Sequence, residues 1–440
     1  MASRRPVAGL AVAGMMLASL LGASGLLPGE PWLPGLLAWL PGLLAWLAGL
    51  LLLADLNRFQ RVQSGLMFAV GAAGLAWAAS LGDFSWRTAV SGGNHALLAM
   101  LSAVTFLRLI TGTGPLDGPL PRGRRAVLQT LAATHLFGAV INISAPVMVG
   151  ERVAQHGRLS TLQGRVISRA FVAASMWSPF FIAMALILQY LPHARFTVIA
   201  GGGFLASFLL LAWCAWRLPR AADAERFVGY PLRWQALWAP SLLSGCVLGG
   251  HLLLPHLPIL PLIQGAALGV VGLVLPWQRG WQAGAALLSH ARERLPGMAG
   301  EFAMFLASSV MSAGIDAAVR HSGLSLAPAT LHAGGASALM AGLLLLTLVG
   351  IHPVATLGVL AGAWPLRQYD GDLLGIVFLL VWGLGLVASP FSGTSFVFQA
   401  RFGARPLDLL RWNGAYVVGG YLLGVAMLYA YEGWVRGVLG

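Results

Sequence analysis

Apolar runs of about 20 residues recur along the whole chain, and each can span the ~30 Å hydrocarbon core of a bilayer as a helix. Eleven spans are read: 6–27, 33–54, 63–81, 88–110, 168–191, 196–216, 235–256, 259–277, 298–318, 372–396 and 413–432. In hydrocarbon every backbone N–H and C=O must be bonded internally. The expected fold class is therefore an all-α polytopic membrane protein. Composition agrees. The mean hydropathy is +0.78, 58% of residues are apolar and 9% are charged, against ~45–50% apolar in soluble domains. No polar stretch is long enough to fold as a separate soluble domain.

The net charge is +13 and the pI about 11.2. In a soluble chain that would point to nucleic acid. In a membrane chain basic residues mark cytoplasmic loops, so no nucleic-acid partner is expected. All 27 basic residues are arginine. With the N-terminus cytoplasmic, 22 fall inside, Arg152, Arg158, Arg165 and Arg169 among them. Five fall outside: Arg87, Arg195, Arg320, Arg367 and Arg436. The expectation is a multi-pass protein of the cytoplasmic (inner) membrane. The first apolar stretch has some features of a signal peptide, but it nears full spanning length and reads as a retained helix. Cys214 and Cys246 stand singly, which gives no disulfide framework or zinc pattern; no resident cofactor is expected.

The arginines also decide the nature of 126–150. As one crossing it would send Arg152, Arg158, Arg165 and Arg169 outside. As a re-entrant hairpin it returns to the cytoplasm, with arms of about 12 residues reaching roughly 18 Å and a turn in "INISAP". The apolar stretch 326–364 has room for a second hairpin, entering from the opposite side with its tip in "GIHPVAT". Two spans carry Ser-Pro-Phe where a helix cannot continue, Ser178-Pro179-Phe180 and Ser389-Pro390-Phe391, 211 residues apart. The hairpin tips give Pro146-Val147 and Pro353-Val354, 207 apart. Two marks in one order at nearly one offset indicate an inverted repeat. The expected organisation is an N-terminal helix (1–30), a first repeat (31–217) with hairpin 126–150 and broken helix 168–191, a linker (218–234), and a second repeat (235–440) with hairpin 326–364 and broken helix 372–396.

In this architecture the chain resembles the ion transporter superfamily. That group includes divalent-anion/sodium symporters, citrate and arsenite permease-like families, and the large subunits of tripartite carboxylate transporters. The resemblance implies an elevator mechanism. Hairpins and broken helices would form a moving domain, and spans 63–81, 88–110, 259–277 and 298–318 a scaffold, in a homodimer. The symporter branch carries Ser-Asn-Thr at each tip. Here the tips read Asn142-Ile143-Ser144 and Gly350-Ile351-His352-Pro353.

Discontinuous helices put binding sites at half-helix ends, where N-termini suit anions and freed carbonyls suit sodium. The candidate substrate-binding residues are Asn142, Ser144, Pro146, His352, Pro353, Thr356, Ser392 and Thr394. The candidate cation-binding residues, for a bound sodium ion, are Ser175, Ser178, Pro179, Ser389, Pro390, Gly393 and Ser395. The competing reading of each serine is a bond back to its own helix. His352 either titrates near neutral pH or is a neutral histidine capping a turn; His135 reads as a packing histidine. Asp55, Glu301 and Asp316 sit near span ends and read as interface residues. The seven-residue repeat Trp32, Trp39, Trp46 reads as packing or lipid contact, and "GRLSTLQGR" lacks the lysine of a phosphate-binding loop. The expected function is a secondary transporter, not an enzyme, for a small carboxylate-like anion coupled to sodium or protons. An exporter or antiporter of an inorganic ion or oxyanion is the alternative. A membrane-embedded sugar ligase or polymerase is a third, which the short external loops disfavour.

Overall fold

The computed structural model describes residues 4–24, 32–110, 119–232, 238–254, 257–324 and 327–439. Parts of the expected elements at 25–27, 233–237, 255–256 and 326, and the side chain of Trp32, lie outside the described residues. Among the described residues there are helices and no strand, and nine helical stretches, some of them interrupted, are long and apolar enough to cross a membrane. The chain is an all-α polytopic membrane protein.

The chain begins with α1 (Arg4–Ser24), α2 (Trp32–Leu52), α3 (Arg58–Ser80), α4 (Arg87–Gly92) and α5 (His95–Thr105). Next come α6 (Arg124–Ile141), α7 (Ser144–Val153), α8 (Thr161–Ser175), α9 (Ile182–Tyr190) and α10 (Phe196–Arg217). The second half holds α11 (Trp238–Leu253), α12 (Ile259–Arg279), α13 (Gln282–Ser289), α14 (Ala299–Ser322), α15 (Ala333–Leu348), α16 (Pro353–Ala363), α17 (Gly371–Ala388), α18 (Gly393–Phe402) and α19 (Asp408–Leu439). The helices fall into two compact units. One comprises residues 1–112, 242–328 and 357–366, the other 113–241, 329–356 and 367–440. The units cut across the two expected repeats, since each takes helices from both.

In the first unit α3 and α14 approach closely because glycines face each other. A Cβ on Gly314 would lie 2.0 Å from the Gly71 carbonyl oxygen, and one on Gly71 would lie 2.4 Å from the Val310 carbonyl. Small residues let membrane helices pack backbone to backbone. Gly314→Val is therefore expected to separate α3 from α14 and cost about 3 kcal/mol; thermal unfolding of the purified protein checks it, and an unchanged midpoint would show that the contact is dispensable. Helix α1 is packed into this unit, its Met16 carbonyl accepting from Gln264 Nε2 at 2.7 Å. The three acids read as interface residues behave differently from one another. Asp55 pairs with Arg4 and Arg5, each at 2.9 Å; Asp316 pairs with Arg320 at 3.1 Å; Glu301 stands in the first turn of α14. Trp46 donates to the Val90 carbonyl at 2.9 Å and Trp39 is exposed. The expected span 88–110 is not one helix: Gly93 and Asn94 take φ of 54° and 55° and split it into α4 and α5. Both residues tolerate the left-handed region, and Asn94 Nδ2 donates to the Phe305 carbonyl at 2.9 Å.

The second unit has two well-defined ends. At one end Arg122 pairs with Val228, and Gln163 Nε2 donates to the carbonyls of Val153 and Val228 at 3.0 and 2.9 Å. The chain entering α6 and the chain leaving α7 therefore meet, and α6–α7 is a hairpin. Its arms are unequal, 18 and 10 residues rather than about 12 each. At the other end His332 and the Ala333 amide bond Glu432, while Tyr431 bonds Asp370. The chain thus enters α15 and returns to start α17 at neighbouring residues of α19, which makes 332–370 the second reversal. Helix α10, about 33 Å long, runs between these ends. The two reversals begin and end at opposite ends of the unit, although residues 357–366 of the second belong to the first unit. Both spans with Ser-Pro-Phe are broken: α8 and α9 are separated by residues 176–181, and α17 and α18 by 389–392.

Candidate functional site

The first tip is built on an unusual backbone. Asn142 closes α6 with φ 52° and ψ −137°, a region that costs a residue with a Cβ about 1–3 kcal/mol. Its carbonyl accepts from the Ala145 amide at 2.9 Å, and α7 starts at Ser144 with Pro146 buried in its first turn. The first break is tied to this tip. Ser178 Oγ donates to the Ala139 carbonyl, one of those freed at the end of α6, and accepts from the Phe180 amide at 3.2 Å. Pro179 beside it is buried. Ser175 Oγ bonds back to the Val172 carbonyl at 2.7 Å. His135 holds the same region from α6: its Nδ1 bonds the Ala170 carbonyl at 3.1 Å, and Nε2 accepts from the Trp177 indole at 3.2 Å. Both ring nitrogens are used, which is the packing role expected of it.

The second tip is tied to the second break in a different way. Gly350 has φ 107° and packs against the Phe391 ring. His352 precedes α16, and its Nδ1 accepts the Val354 amide at 3.2 Å. The acceptor role needs neutral imidazole with its hydrogen on Nε2. The ring lies edge-to-face on Trp382 at 5.5 Å. Pro353 opens α16, and Thr356 Oγ1 bonds the Pro353 carbonyl at 3.0 Å.

At the second break three carbonyls of the last turn of α17 have donors. The Gly385 carbonyl takes the Ser389 amide at 2.9 Å, Leu386 takes Ser392 Oγ at 2.8 Å, and Val387 takes Asn413 Nδ2 at 3.0 Å. Ser389 Oγ lies 3.4 Å from the Phe391 amide. Ser392 caps α18 by accepting the Ser395 amide at 3.0 Å. Gln399 Nε2 reaches back to Ser395 Oγ and the Pro390 carbonyl at 3.0 and 3.3 Å. Thr394 is buried and Gly393 is exposed at the helix start. Ser392→Ala removes the cap and the donor to Leu386; it is expected to cost about 1–2 kcal/mol, read by thermal unfolding, whereas Ser392→Thr keeps both bonds and should stay near wild type.

One arrangement joins the first hairpin to the second break. Helices α7 and α18 both run toward the end marked by Val228. They finish side by side, with Arg401 on Glu151 at 3.3 Å and the Phe402 ring against Gly150. Counted back from those contacts, they begin within about one turn of each other. Two half-helix N-termini, with Asn142, Ser144, Ser392 and Thr394 on them, therefore lie at one depth inside the unit. The sequence reading did not single out Arg169, Gln399, Asn413 or Asp372, which the structure places as buried or bridging polar groups of this unit. Arg169, assigned to the cytoplasmic side at the start of the expected span 168–191, lies inside α8, which begins at Thr161, and is 8% exposed.

No protein-family model matches the chain, and no curated protein matches it. Among solved structures, the crystal structure of the Alcanivorax borkumensis YdaH transporter, described as having an unusual topology, is similar with a TM-score of 0.39 and 14% identity over 84% of this chain and 85% of that chain.

Proposed function

We propose that this protein is a secondary transporter that moves a small carboxylate-like anion, coupled to sodium or protons. The arrangement that carries the reading is the pair of half-helix starts, α7 and α18, at one depth within an apolar unit. Helix N-termini present unused N–H groups and partial positive charge, and both favour an anion. Interrupted helices inside a membrane protein are tolerated where they are buried in protein or line a cavity, and such helices build midplane transporter sites. Reversals that begin and end at opposite ends of one unit fit an inverted repeat of 31–217 and 235–440. In the proposed mechanism the second unit carries the substrate in elevator fashion and the first is stationary, in a homodimer in the cytoplasmic membrane with its N-terminus inside. The substrate would bind through Asn142, Ser144, Pro146, Ser392 and Thr394, with His352, Pro353 and Thr356 on the second tip. A coupling sodium ion would use the oxygens around Ser175–Pro179 at the first break.

Thermal unfolding against carboxylates and oxyanions, with and without sodium and at two pH values, tests this. A ligand at about 100 times its dissociation constant should stabilise by roughly 2.7 kcal/mol. Stabilisation by carboxylates is the expected result. Stabilisation by oxyanions alone would move the assignment to an inorganic-ion exporter, and none at all would remove the anion site.

A further inference from the structure

Arg169 is a buried cation in an apolar helix core. Only 8% of it is exposed, and among the described residues no carboxylate forms an ion pair with it. Its contacts are dipoles, a ring and the buried Cys214 thiol. Nε donates to Asn413 Oδ1 at 2.9 Å, Nη2 donates to the Trp412 carbonyl at 2.6 Å, and Cζ stands 5.1 Å from the Tyr416 ring centroid. A buried charge without a countercharge is costly, and residues keep one in a membrane when it has work to do.

The position of this charge indicates the work. Asn413 is fully buried and saturated. It accepts from Arg169, and its Nδ2 donates to Ser168 Oγ at 3.2 Å and to the Val387 carbonyl at 3.0 Å. Val387 lies in the last turn of α17, two residues before Ser389. Across one amide group, the guanidinium is linked to the Val387 carbonyl beside the second break, and a charge this near acts strongly in a low-dielectric interior. A cation at that break would be repelled by the guanidinium, and the carbonyls of Gly385, Leu386 and Val387 each already accept one hydrogen bond. An anion there would be attracted.

We infer that Arg169, held by Asn413, is a resident countercharge that takes the place of a coupling sodium ion at the second helix break, so that anion binding beside α18 needs no sodium. The inference deepens the anion-transporter reading and rests on it. Arg169 does not have to touch the substrate; it is a positioning charge acting through space and through Asn413.

The test is thermal unfolding of the full-length protein titrated with succinate, citrate and phosphate, in sodium chloride and in choline chloride of equal ionic strength. The wild type should titrate with the same midpoint in both salts. Arg169→Gln should raise the midpoint about tenfold in choline and recover part of it in sodium, while Arg169→Lys keeps the charge but loses the forked, ring-stacked donor, so it should lower the unfolding temperature yet titrate with the same midpoint in both salts. Asn413→Asp is nearly isosteric and neutralises the guanidinium in place, so it should behave like Arg169→Gln even if that variant folds poorly. A purely structural role for Arg169 would lower the unfolding temperature without changing the sodium dependence. Anion stabilisation of the wild type only in sodium, or an Asn413→Asp variant that titrates like wild type in choline, overturns the inference and leaves the anion reading standing. Absence of stabilisation by any probe in either salt removes both.

Discussion

Gly203→Ala is expected to destabilise the protein by about 3 kcal/mol or more, the upper range for overpacking, and to abolish ligand stabilisation. Gly203 lies on α10, where a Cβ would stand 1.8 Å from the Met176 carbonyl oxygen and 2.8 Å from its carbon. Met176 is the first residue beyond α8, at the first break. The obstacle is backbone, so no rotamer change relieves it; either α10 retreats by an ångström or more, or the break changes shape. Ser178, which ties the break to the first hairpin tip through Ala139, is two residues further on. The disturbance therefore reaches the candidate site. Gly201, on the same helix, supplies the control. Nothing lies within 4 Å of a Cβ there, and Gly201→Ala should be neutral or gain up to about 1 kcal/mol from helix propensity. Thermal unfolding of the two variants side by side decides the matter. Equal midpoints would mean that the α10 contact with the break is loose in solution.

What the sequence made legible, and what it did not, follows from where each feature's cause lies. Spans are visible because bilayer thickness sets their length. Both helix breaks are visible because proline forbids the preceding hydrogen bond whatever the surroundings. The first reversal could be read from arginine sidedness, a signal carried by loops. The break at Gly93–Asn94 has no proline and lies in an apolar run, and its partner Phe305 is 211 residues away; nothing local announces it. Asn413 and Gln399 are ordinary polar residues in their own helices. Their roles arise from carbonyls released elsewhere, at Val387 and Pro390. Charge counting places Arg169 on the cytoplasmic side but cannot tell a buried guanidinium from a solvated one. That Ser168 and Arg169 both face Asn413 is a tertiary fact, 245 and 244 residues apart. Among the candidate serines, Ser175 bonds back to its own helix as the bland reading anticipated, whereas Ser178 and Ser392 reach across a chain break.

Asp372→Ala should loosen the end of the second unit where α9, α10, α17 and α19 meet, at a cost of about 2 kcal/mol from lost charge-assisted bonds to a buried carboxylate. Asp372 is 4% exposed, while the guanidinium it binds is largely open to the surroundings. Its Oδ1 accepts the Arg195 amide and its Oδ2 the Arg195 Nε, both at 2.6 Å, with the Tyr431 hydroxyl at 3.4 Å. Asp370, two residues earlier, caps α17 through the amides of Asp372 and Leu373 and accepts from Tyr431 as well. The two acids have separable duties: Asp370 starts the helix, and Asp372 fastens it to the α9–α10 connection. The asymmetry in burial makes a directional prediction. Removing the carboxylate strands a backbone amide along with the guanidinium, whereas Arg195→Ala leaves the Asp372–amide bond and the Tyr431 contact in place, so Asp372→Ala should be the more damaging. Asp372→Asn keeps an acceptor for the amide and should fall between them. Thermal unfolding of the three variants gives the order. If Arg195→Ala proved the most damaging, the exposed ion pair rather than the buried acceptor would hold this end together, and the start of α17 would depend on a charge that salt can screen.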